Sequence, residues 1–196
     1  MRFNVHKKAS RILGISESFT QNRLQTSVLA GVVMRADGLI DGFTFSNATI
    51  KGMDSTEKII GMVRSLERED VNLLLLNGCI ISRYNVIDLY RLFQEINLPL
   101  ISVTYKESPG LEKNFRKVFP HDWLRRVKIY RHNGPRIPLI LKTGFTVFTR
   151  FIGINETDTH ILLNKLVLHG AIPETLRVAR ILARSLARTL VSSEFL

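Results

Sequence analysis

The sequence predicts a single α/β domain on a mixed sheet, in which three antiparallel strands precede alternating helices and strands, with helices on both faces. Three observations carry that prediction. Asp37-Gly38 sits between two apolar runs, the composition of a hairpin turn. From Asp54 the apolar spacing becomes helical, with Ile59, Ile60, Val63 and Leu66 on one side. Val71-Asn-Leu-Leu-Leu-Leu76 is then apolar without alternation, as in a strand buried on both faces, and helical segments flank it.

Taken in order, Arg11-Ile-Leu-Gly-Ile15 is a short apolar strand that ends in a polar turn, Ser16-Glu17-Ser18. Ser27 to Met34 is the second strand and Leu39 to Ile50 the third, with Phe43 and Phe45 on one face at the two-residue period. The first helix runs from Asp54 to Glu69 or Asp70, where Asp54 as N-cap and Glu57 three residues later form a capping-box-like pair. After Val71–Leu76 a loop through Gly78 leads to a helix from Asn85 to Ile96, with Val86, Leu89, Tyr90, Phe93 and Ile96 inward. Pro99 to Tyr105 is a further strand, and this alternation favours parallel crossovers. Beyond it come short helices at Leu111–Val118 and His121–Lys128, a strand from Thr143 to Gly153, and two closing helices, Glu156–His169 and Glu174–Leu190. Pro173 suits the first turn of the last helix, where its missing N–H costs nothing.

A chain of 196 residues fills one domain, with residues 10–105 as core sheet and helices and 106–196 as a basic C-terminal part. With 45% hydrophobic and 23% charged residues it is an ordinary globular composition. No apolar run reaches the roughly 20 residues that span a bilayer, and Arg2, Lys7 and Lys8 have no apolar core behind them that would make a signal peptide. The lone Cys79 excludes an internal disulfide framework and a clustered thiolate metal site, and fits a reducing cytoplasm. His6, His121, His132, His160 and His169 show no metal-ligand spacing, Gly134-Pro135 is a turn, and no glycine-rich nucleotide fingerprint appears.

Net charge is +11, and it is unevenly placed: Lys and Arg against Asp and Glu number 12 to 10 up to Tyr105 and 16 to 7 from Lys106 onward. A one-sided basic surface concentrates phosphate polyanions. In the last helix Arg177, Arg180, Arg184 and Arg188 fall in a narrow sector opposite Ala179, Leu182, Ala183, Leu186 and Leu190. That sector is either a solvated face or a guanidinium ladder for phosphates. Trp123 and Tyr130, among Arg125, Arg126, Lys128 and Arg131, offer base stacking beside a basic strip, or a packed helix with a solvated edge.

Five ordered segments, Arg11–Ile15, Gly52-Met-Asp-Ser-Thr-Glu-Lys-Ile-Ile60, Leu73-Leu-Leu-Leu-Asn-Gly78, Tyr84-Asn-Val-Ile-Asp88 and Ile172-Pro-Glu-Thr-Leu-Arg-Val-Ala179, resemble an archaeal endonuclease V-like family, endonuclease dU. The resemblance runs from about Arg11 to Arg188. It implies a ribonuclease H-like fold and cleavage of nucleic acid near a deaminated base by a divalent metal, magnesium or manganese, on acidic residues. Carried over by position, the family's first-strand aspartate falls at Ser16, its helix glutamate at Glu57, its fourth-strand aspartate at Asn77 and its last-helix histidine at Arg180. Only Glu57 of these favours a cation. Glu17 is a substitute for Ser16 only if the strand ends or bulges there, because neighbouring strand residues face opposite ways.

The expectation is therefore a cytoplasmic, endonuclease V-like protein that binds single-stranded or damaged nucleic acid through Arg177, Arg184, Arg188, Arg125 and Arg126, with metal-dependent cleavage absent or reduced. Two alternatives stand beside it. One is an active magnesium-dependent endonuclease with a site from Glu57, Glu17 and a further carboxylate such as Asp88 or Glu174; the other is a module that binds an acidic protein partner.

Overall fold

A computed structural model of the chain describes residues 5, 7, 9–19 and 25–193; Arg2, His6 and Lys8 lie outside them. Three strands open the fold, β1 (Arg11–Ser18), β2 (Thr26–Arg35) and β3 (Ile40–Thr49), and pair antiparallel in sequence order. The turn between β2 and β3 closes where Gly38 takes φ +96 and donates its N–H to the Arg35 carbonyl at 2.9 Å, a conformation that suits glycine. Next come α1 (Ser55–Ser65), β4 (Val71–Leu76), a small hairpin of β5 (Ile80–Ile81) and β6 (Asn85–Val86), α2 (Leu89–Ile96) and β7 (Leu100–Thr104). The rest is α3 (Glu112–Val118), α4 (Trp123–His132), β8 (Ile137–Ile140), β9 (Thr146–Ile152), α5 (Glu156–Leu166) and α6 (Glu174–Ser193). Seven strands form one sheet in the order β3-β2-β1-β4-β7-β9-β8, with β1, β4 and β7 mutually parallel. No helix among the described residues is long and apolar enough to cross a membrane.

Strand alternation divides the core in two. Leu13, Ile15, Leu29, Leu74 and Leu76 face α1 and α2, joined by Phe115 and Tyr130 from α3 and α4. Ile12, Leu73, Leu75, Ile101 and Val103 face the other way, under α5 and α6. The last helix lies unusually close: a Cβ on Gly14 would stand 2.4 Å from Thr175 Cγ2, and Ala183 and Ala187 rest on Val28 and Ala30 of β2. Small residues on both sides set that distance.

Several local expectations need correction. Ser16-Glu17-Ser18 is strand and not turn, because β2 continues opposite it, pairing Glu17 with Leu29 and Ser18 with Val28. The second helix begins at Leu89 and not Asn85: Asp88 caps it by accepting the Arg91 N–H at 3.0 Å, while Asn85 and Val86 pair with Ile81 and Ile80. Tyr90 is 41% exposed and stacks on His132, whereas Leu92 is buried. The sheet also gains β8, whose Pro138 is tolerated because the strand lies at the edge. At the opposite edge, Phe43 and Phe45 do share one face, and it is the exposed one, with Thr44 turned inward.

Candidate functional site

β1 and β4 run side by side with Ile15 opposite Leu76, so Ser16 and Asn77 meet at their carboxyl ends, where the Asn77 N–H donates to the Ile15 carbonyl at 3.1 Å. In open α/β sheets this is the edge where ligands gather. Ser16 follows Ile12 and Gly14 to the α6 side, and its hydroxyl donates to the Leu176 carbonyl at 3.0 Å. Arg180 lies one turn further along α6, exposed. Its charge reaches Tyr105, just past β7, whose buried hydroxyl has no hydrogen-bond partner among the described residues. Burial pushes that phenol well above its usual range, with Arg180 opposing. The fold thus brings Ser16 and Asn77 to adjoining strand ends, with Arg180 on the helix to which Ser16 is hydrogen-bonded.

Glu57 is elsewhere. It occupies the first turn of α1, on the other face of the sheet, half-exposed and ion-paired with Arg91 of α2. Asp54 does not cap α1 through its side chain. Its carboxylate instead accepts from Thr49 N–H at 3.1 Å, the Thr49 hydroxyl at 2.8 Å and Asn85 Nδ2 at 2.7 Å, so the capping box fails because β3 and β6 claim the acceptor. Partial burial favours the neutral acid, but the hydrogen bonds from Asn85 and Thr49 outweigh it and hold Asp54 below the usual carboxylate range.

Glu17 also turns away from Ser16, as strand alternation requires. It borders a cleft of about 510 Å³ with Lys51, Arg83 and Tyr84. One carboxyl oxygen is buried without a partner, and burial raises its pKa against hydrogen bonds from the Ser82 backbone and the Ser27 hydroxyl. Among the described residues no three Asp, Glu, His or Cys side chains converge. A hydroxyl, an amide and a guanidinium are a poor donor set for magnesium or manganese, which select oxygen anions. The residues at the implied metal positions do not fit the ion.

The basic residues divide by burial. Arg180, Arg184 and Arg188 are exposed along α6 and form no ion pair among the described residues, while Arg177 is held by Glu174 at 2.5 Å. Arg125 is exposed, but Arg126 is only 4% exposed and belongs to the fold. Its guanidinium pairs with Asp122 at 2.9 Å and donates to the carbonyls of Lys51, Gly52 and Tyr84, each at 2.9 Å. Of the two readings of this helix the packed one holds, since Tyr130 is core and Trp123 packs against it with the Arg116 guanidinium 4.5 Å from its ring centre. Two arginines that sequence spacing did not single out, Arg136 and Arg150, border a cleft that reaches Asn77. An isolated Arg within Phe148-Thr-Arg-Phe151 carries no motif, and only the sheet brings it to the edge.

The family model for endonuclease dU matches residues 8–187. A UPF0215 protein of Pyrobaculum aerophilum is 35% identical over 188 residues, covering 94% of this chain and 100% of the relative. Among solved structures, a protein of unknown function from Archaeoglobus fulgidus superposes with a TM-score of 0.77 at 24% identity, covering 90% of this chain and 98% of the other. Endonuclease V of Ciona intestinalis, in complex with a 24mer DNA containing an inosine followed by a ribo-adenosine, gives 0.65 at 13% identity, covering 93% and 87%. The mixed sheet is therefore the endonuclease V-like fold, and the chain belongs to the endonuclease dU family.

Proposed function

We propose that this protein binds single-stranded or damaged nucleic acid along the carboxyl edge of β1, β4 and β7 and the arginine face of α6, with metal-dependent phosphodiester cleavage absent or much reduced. One observation carries the reading: the adjoining ends of β1 and β4 bear Ser16 and Asn77, neutral side chains, and α6, to which Ser16 is hydrogen-bonded, carries the cation Arg180. Hydrolysis assisted by a divalent ion needs an anionic anchor to hold that ion against phosphate. Here the same edge favours the phosphate itself. The relative bound to inosine-containing DNA supports nucleic acid as the partner class, and the charge of +11 supplies salt-sensitive attraction.

The test pairs binding with cleavage. Labelled single-stranded oligonucleotides, with and without inosine or deoxyuridine, are titrated with the full chain at several salt concentrations and incubated with manganese. Binding that weakens steeply with salt, without strand scission, is expected. Strong manganese-dependent cutting by the native chain that survives Glu57→Gln would place the working site elsewhere and sink the reading.

A further inference from the structure

Arg150 is a buried cation with an incomplete shell. Its side chain, on β9, is 7% exposed; Nε donates to the Gly134 carbonyl at 2.8 Å, Nη1 to Cys79 Sγ at 3.3 Å, and the guanidinium lies 5.0 Å from the Tyr130 ring centre. No carboxylate pairs with it among the described residues, and Nη2, which has no protein acceptor there, is not fully buried. Cys79 does not supply the missing anion, because burial raises its thiol pKa despite the adjacent Arg150 charge. Arg126 provides the contrast within the same molecule: equally buried, it has Asp122 and three carbonyls. A buried guanidinium without a counter-charge is costly unless an anion arrives from outside.

The space beside Arg150 is open to such an anion. A cleft of about 370 Å³ runs from Asn77 past Cys79 to Arg150, and a neighbouring one of about 530 Å³ shares Tyr130, Arg136 and Arg150 with it. Arg136 forms the second side. Its guanidinium lies 5.1 Å from the Phe148 ring centre and is fixed by the carbonyls of Lys106 at 3.0 Å and Ser108 at 2.6 Å, with no carboxylate partner among the described residues. Glu107 borders both clefts, yet it is exposed and ion-paired to neither arginine.

We propose that the cleft between Arg136 and Arg150, at the carboxyl ends of β4 and β7, is a seat for one phosphate group. Two rigid guanidinium forks match phosphate oxygens better than flexible ammonium groups would. The seat rests on the proposed function only for its source: a strand phosphate if nucleic acid binds, a free phosphate or phosphomonoester if it does not.

The first measurement is the thermal midpoint of the full chain in sodium phosphate and in sodium chloride at equal pH and ionic strength. Phosphate raises the midpoint of the native chain in a concentration-dependent way, since a ligand that binds only the folded form stabilises it. Arg136→Gln abolishes the rise, Arg150→Lys blunts it and Glu107→Gln enlarges it. Besides two loop carbonyls and the Phe148 ring, Arg136 makes only a long contact to the Thr104 hydroxyl of β7 at 3.5 Å, so its variant keeps the test valid if changes at Arg150 impair folding. The second measurement is oligonucleotide affinity against salt. For a strand phosphate, Arg136→Gln weakens binding about tenfold and lowers the log–log salt slope by roughly 0.7, one single-strand phosphate. A phosphate-induced rise in a native chain that binds no oligonucleotide keeps the seat and removes nucleic acid as its source. No phosphate rise, with oligonucleotide binding unchanged by Arg136→Gln, overturns the seat and leaves the nucleic-acid reading intact.

Discussion

Glu17 keeps one carboxyl oxygen buried and unpaired, so the folded chain prefers that group protonated. Its raised pKa gives a contribution to stability that is complete below the ordinary glutamate value of about 4.3 and is lost as pH rises through the shifted value. Glu17→Gln should remove that loss and make the protein more stable than native at neutral pH; denaturant curves from acid to neutral pH that run parallel for both proteins contradict this. Asp41 and Asp70 act in the opposite direction, because hydrogen bonds from Arg11 and Arg68 to Asp41, and from Arg68 to Asp70, lower their pKa values. Their contribution is present above the ordinary carboxylate range and disappears as pH falls through the depressed values. Adjacent arginines differ as sharply. Arg126→Met should cost about 3 kcal/mol or more by stranding Asp122 and three carbonyls, whereas Arg125→Ala should stay within about 0.5 kcal/mol, and equal losses would refute the assignment. Sequence could place both on one basic strip but could not tell them apart, since the acceptors come from residues 51, 52 and 84.

Helix α6 shows what periodicity does and does not reveal. The arginine sector was legible, and so was most of the apolar side, since Ala179 and Ala183 rest on the sheet with Leu182 and Leu186 packed beside them; Leu176 and Ala187 join them, while Leu190 is 44% exposed. Alanine looks neutral in a sequence; here its small size lets the helix backbone approach β1 and β2. Gly14→Ala should therefore force the helix or Thr175 aside and cost about 1–3 kcal/mol, measured by denaturant midpoint, and a neutral result would mean the contact is soft. Replacing Arg177, Arg184 and Arg188 together by Ala should leave that midpoint nearly unchanged and weaken oligonucleotide binding. Unaltered affinity would reduce the ladder to a solvated face. The segments that escaped the sequence reading were those with little pattern to show: the two-residue partners β5 and β6, the edge strand β8 with its Pro138, and the helix start fixed by Asp88 rather than by apolar spacing.

Across the whole molecule, the fold and the adjoining positions of Ser16 and Asn77 were readable because parallel pairing of β1 with β4 follows from strand order. The separation of Glu57 and Arg180 by the sheet was not, because it depends on which face α1 packs. Ser16→Asp, Asn77→Asp and Arg180→His together should restore affinity for manganese. An ionised Asp at position 16 would also meet the Leu176 carbonyl, an acceptor now served by the Ser16 hydroxyl at 3.0 Å. The triple variant should therefore be less stable than native without metal and recover with it; calorimetry that detects neither binding nor recovery rejects the inherited geometry. The closeness of α6 to the opening strands has a consequence in time as well. During synthesis the first hairpin leaves the ribosome with Val28, Ala30 and Val32 bare, and their cover is α6, which follows every other described element along the chain. Until that helix emerges this side of the opening strands stays uncovered, an apolar surface of the kind that promotes aggregation while a chain is being built.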